Sequence, residues 1–81
     1  MTLDAARESL SRAGNRLGNA TRAVWSKQAE YDAAVASGDD FDIIHASLAL
    51  TTAERDQARR QADYDAAEAV LVATAIEEGE I

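Results

Sequence analysis

His45 is the single histidine of the chain, and Asp42 precedes it by three residues, a spacing that sets both on one helix face. The pair supplies two donors where a structural zinc site needs four, and there is no Cys or second His to complete it. A solvated helical histidine is the expected reading, with no metal ligands. Nucleophilic catalysis lacks its parts as well. Ser9, Ser11, Ser26, Ser37 and Ser47 are scattered, with one imidazole among them and no Gly-rich strand-to-helix elbow. Glu77 and Glu78 pair two carboxylates near the C-terminus, but no pocket is expected there to tune them for acid–base work. The chain is therefore expected to be non-enzymatic, with no catalytic residue, cofactor or small-molecule substrate.

Other residues suit contact better than catalysis. Trp25 neighbours the expected helix seam without belonging to it, and tryptophan is enriched where proteins meet. Gly14 and Gly18 form a small-xxx-small spacing, which in membranes mediates helix dimers, but Arg12 and Arg16 beside it exclude a membrane span. In a soluble helix each Gly costs about 1 kcal/mol relative to Ala, which either close approach or simple tolerance explains. Arg16, Arg22, Arg55, Arg59 and Arg60 gather into a basic belt at mid-chain, where Glu54, Asp56 and Asp63 lie near enough to pair with them.

The 81 residues include no Cys, no Pro and four Gly, and Ala is the commonest residue. One small domain, residues 1–81, is the most they allow. Nothing requires an oxidising compartment, and neither an apolar run of membrane-spanning length nor a signal-peptide core is present. The expectation is a soluble chain, cytoplasmic or incorporated in a virion or other large assembly, and not exported through a signal peptide. The net charge is −7. Residues 1–37 carry five basic and four acidic side chains, whereas residues 38–81 carry three and eleven. The acids cluster at Asp39, Asp40 and Asp42 and at Glu77, Glu78 and Glu80. Such a balance disfavours nucleic acid and anionic membrane surfaces as partners, since both repel it at long range.

Absence of Pro with abundant Ala, Leu, Arg, Gln and Glu favours helix throughout. The interruption is Ser37-Gly38-Asp39-Asp40. There Gly38 suits the left-handed close of one helix, and Asp39 or Asp40 the N-cap of the next. With Thr2 as first N-cap and Gly79 as final stop, helices are predicted over about 3–36 and 41–78, joined by a turn at 37–40. So short a connection makes an antiparallel hairpin.

Heptad spacing supplies the register. In the first helix Leu3, Leu10, Leu17, Val24 and Tyr31 recur every seven residues at position a, with Ala6, Ala13, Ala20, Lys27 and Ala34 at d. The second helix has Ile43, Leu50, Gln57, Tyr64 and Leu71 at a, and Ala46, Ala53, Arg60, Ala67 and Thr74 at d. Folding about Gly38 and Asp39 sets a against d, so that Ala13 meets Tyr64, Ala20 meets Gln57 and Val24 meets Ala53. A large residue faces a small one in nearly every layer, which lets the helices approach closely. Arg7 then falls opposite Glu68, and Arg16 opposite Asp63. The fold class is all-α, an antiparallel two-helix hairpin of Ala-rich coiled-coil type. Residues 28–36 and 61–69 also match at seven of nine positions, offset by 33, which reflects either duplication of a helix or chance between two Ala-rich helices. Two copies are too few for a solenoid.

A seam lined by alanine gives little core, and single domains of this size seldom obtain more than about 3–5 kcal/mol from theirs. The second helix carries a further stripe away from the seam: Ile44, Leu48, Thr51, Ala58, Ala62, Ala69, Val72 and Ile76. The matching face of the first helix is polar apart from Trp25 and Ala29. A helix apolar on two sides must bury both, and its own hairpin covers one. The predicted protein interface is therefore Ile44, Leu48, Ala58, Ala62, Ala69, Val72 and Ile76, with Trp25. The hairpin would be completed by oligomerisation or by docking on a larger protein. The expected role is a structural or assembly subunit of a larger complex, with a viral or phage particle as the setting suggested by size and composition. The rival expectation is a small acidic inhibitor or adaptor that fills a basic groove on its target in the manner of a nucleic-acid mimic.

Overall fold

The computed structural model describes residues 1–79; Glu80 of the acidic C-terminal cluster lies outside them. Helix α1 spans Leu3–Ser37 and helix α2 spans Asp40–Glu77, packed as an antiparallel hairpin. These bounds lie within one residue of the expected ones. At the start of α1 the Thr2 hydroxyl accepts the Ala5 N–H at 3.2 Å. Gly38 closes α1 in the left-handed region, with φ 74°, and its N–H reaches the carbonyls of Ala34 and Val35. Asp39, rather than Asp40, caps α2 by accepting the Asp42 N–H at 3.0 Å. The turn is therefore two residues long. A glycine is needed at its first position because a Cβ there meets the following carbonyl.

The seam positions are those the heptads select. Leu3, Ala6, Ala13, Ala20 and Ala34 are buried from α1, and Thr74 from α2; the remaining a and d residues are half-buried. Three contacts fix the register. The Gln57 amide donates to the Thr21 hydroxyl at 3.1 Å, one position from the predicted Ala20 layer. A Cβ built on Gly14 would stand 3.4 Å from Tyr64 Cε2, next to the predicted Ala13–Tyr64 layer. At the open end the Leu3 N–H donates to Glu78 Oε1 at 3.3 Å, so a carboxylate from the end of α2 sits on the positive end of α1.

Polar residues in the seam are all accommodated. Lys27 bends out to Glu30 at 3.0 Å, and Arg60 to Asp56 and Asp63 at 3.7 and 3.8 Å, which leaves their aliphatic stems over the seam. Thr74 returns its hydroxyl to the Val70 carbonyl at 2.8 Å. Among the described residues no buried side-chain polar atom lacks a partner.

The result is a rod of 59 × 16 × 13 Å with a radius of gyration of 18.0 Å. A compact chain of this length would have a radius near 12 Å. Its accessible surface is 5508 Å², against roughly 4,700 Å² for a compact monomer of the same mass. Among the described residues no large side chain is fully buried.

Candidate protein interface

α2 carries its seam at a and d, so its b and f positions form the opposite face. Every predicted interface residue of α2 lies there and is exposed: Ile44 at 59%, Leu48 at 63%, Val72 at 46% and Ile76 at 59%, with Ala58, Ala62 and Ala69 between them. Phe41, not included in the sequence reading, extends the same face at the turn end. It is also exposed, with its ring centroid 4.3 Å from that of His45. The heptad count alone places Phe41 at an f position; adjacency to the turn obscured it. Arg55 and Asp65 complete the row in its middle.

Trp25, the predicted interface residue outside α2, is exposed as well. It occupies a b position of the other helix, α1, and is 67% exposed.

The basic belt resolves unevenly. Arg59 pairs with Asp56 at 2.7 Å, and Arg60 with Asp56 and Asp63. Arg22 donates to the Asn19 side chain. Arg16 and Arg55 make no ion pair among the described residues. The expected Arg16–Asp63 bridge does not form; Asp63 pairs with Arg60, one turn away on its own helix, at 3.8 Å. Arg7 approaches Asp4 of its own helix at 3.8 Å, and the expected pair with Glu68 does not form. Of Glu54, Asp56 and Asp63, the acids expected to pair with the belt, Asp56 holds Arg59 and Arg60, and Asp63 holds Arg60.

His45 lies beside two grooves along the seam, both open to solvent. One is lined by residues including Glu30, Ser37 and Asp42, the other by residues including Lys27, Leu48 and Asp56. No group of three His, Cys, Asp or Glu side chains suited to a metal occurs among the described residues. Gly14 and Gly18 both lie within continuous α1; Gly14 faces the Tyr64 ring, and Gly18 has only the Arg22 guanidinium near it. The matched segments 28–36 and 61–69 make the same local hydrogen bond, Gln28 to Asp32 and Gln61 to Asp65, each at 3.0 Å.

No described helix is long and apolar enough to cross a membrane. Comparison with protein-family models, curated proteins and solved structures gives no match.

Proposed function

We propose that this chain is a non-enzymatic assembly subunit that acts by helix–helix packing in a larger protein complex, with a viral or phage particle as its setting. One observation carries the reading: the larger apolar residues of α2's outer face stand in solvent, while the seam buries four alanines and one leucine. The hairpin thus exposes the kind of surface that stabilises proteins and retains little of it inside. Monomers seldom leave large apolar side chains grouped in solvent at both ends of one helix face. Direct nucleic-acid binding is disfavoured by the net charge of −7.

Denaturant unfolding of the dilute full-length chain tests this. The expected result is a free energy of unfolding below about 3 kcal/mol, rising when the chain is concentrated or given its partner. A monomer whose unfolding midpoint is high and independent of concentration would overturn the proposal. Salt-sensitive one-to-one binding to a basic protein would favour the acidic adaptor instead.

A further inference from the structure

We infer that the outer face of α2 pairs with the same face of a second copy, antiparallel, about a two-fold axis at residue 60; this rests on the assembly reading above. From Ile44 to Ile76 the row reads the same from either end in size and with opposite sign in charge, with Phe41 lying beyond it at the turn end. With the axis at residue 60, Ile44 faces Ile76 of the second copy and Leu48 faces its Val72. Thr51 faces its Ala69 and Ala58 its Ala62, so small residues meet at the centre. Arg55 faces Asp65 of the second copy, and the symmetry makes that pair twice.

The two charged residues decide the arrangement. Arg55 is exposed and makes no ion pair within the described hairpin, although Glu54 and Asp56 flank it in sequence. Asp56 is already held by Arg59 and Arg60. Asp65 accepts a single hydrogen bond, from Gln61, and its carboxylate has room for more. A parallel pairing would set Arg55 against Arg55 and Asp65 against Asp65. Sliding the antiparallel pair by one heptad sets Asp65 against Leu48 in one direction, and Arg55 against Val72 in the other. Of these arrangements, the register centred on residue 60 is the one that matches both charge and size. Such a self-complementary surface is what a closed two-fold dimer requires.

The area is also sufficient. Residues 44 to 76 span about 48 Å of helix. With a contact strip about 10 Å wide, the two copies bury on the order of 1,000 Å² in total, the lower end for a specific interface. Alanines at the centre allow the two α2 helices the same close approach that Ala6, Ala13 and Ala20 permit in the seam. Glu54 opposite Glu68 of the second copy, and Arg59 opposite its symmetry mate, place like charges at the rim, where salt screens them.

The test is sedimentation equilibrium on the full chain, with helicity followed by circular dichroism. The wild type is expected to dimerise. Arg55→Asp and Asp65→Arg should each weaken the dimer about tenfold or more, and the double exchange should restore it to within about threefold, since attraction is recovered with the signs reversed. Leu48→Glu should abolish dimerisation while the helicity of the hairpin persists, because that side chain takes no part in the seam. A dimer indifferent to the single exchanges, or not rescued by the double, would overturn the register. A chain monomeric at every concentration would overturn self-pairing. In that case marginal stability would leave the assembly reading standing with a different protein as partner, whereas high stability would remove both.

Discussion

Glycine 14 and glycine 18 occupy equivalent backbone in one continuous helix and differ in what lies beyond their Cα atoms. A methyl added at Gly18 would meet only the ends of the Arg22 guanidinium, at 3.7 and 3.9 Å, and a flexible exposed side chain can move aside. A methyl at Gly14 would stand 3.4 Å from the Tyr64 ring, at the edge of tight contact in the middle of the seam. Ala is better than Gly in a helix interior by about 0.8–1 kcal/mol. Gly18→Ala should therefore stabilise the hairpin by close to that amount, raising the melting temperature by roughly 4–8 °C. Gly14→Ala should gain less, because the ring must shift. Thermal unfolding of the two variants side by side checks this; an equal gain from both would show that Tyr64 does not rest on Gly14. The membrane-type reading of the pair has no place in this helix, whose small residues are explained by a ring on one side and tolerance on the other.

At the scale of the two helices, alanine at d sets how closely they approach. Ala6 is wholly buried, and Ala13 and Ala20 nearly so, each opposite or beside a large a residue. Ala13→Leu puts a larger side chain against Tyr64 and should destabilise by about 1–3 kcal/mol through overpacking, despite the greater hydrophobicity and good helix propensity of leucine. The same change at Ala36, exposed on the outer side of α1, should alter stability by less than about 0.5 kcal/mol. Urea denaturation of both variants separates the effects, and a stabilised Ala13→Leu would mean the seam is looser than its alanines imply. Seam and caps were legible in the sequence because both are local: a heptad is a seven-residue pattern, and each cap of Thr2, Gly38 and Asp39 works within four residues. Ion pairs were not. Arg60 pairs with acids one turn away on its own helix, since a long side chain loses less freedom reaching a neighbour than spanning the seam. Glu78 looked like part of a frayed acidic end. Its role on the Leu3 N–H depends on a residue 75 positions away.

Across the whole molecule, charge and apolar surface act in opposition, and salt distinguishes which partner the chain meets. Each chain carries −7, so two copies repel at long range even though their α2 faces match. Raising salt from 0.01 M to 1 M shortens the screening length from about 30 Å to about 3 Å, well inside the 59 Å length of the rod. The long-range repulsion between copies is then largely removed. The Arg55–Asp65 contacts are weakened too, but they are two pairs set against the net charge of both chains, and burial of apolar surface is not screened. Self-association should therefore tighten several-fold as salt rises. Binding of an acidic adaptor to a basic groove should do the reverse, because its attraction comes from the same charges that salt screens. Sedimentation equilibrium across that salt range reads the sign directly. A dimer that dissociates as salt rises would mean that charge, and not the stripe from Ile44 to Ile76, holds the copies together.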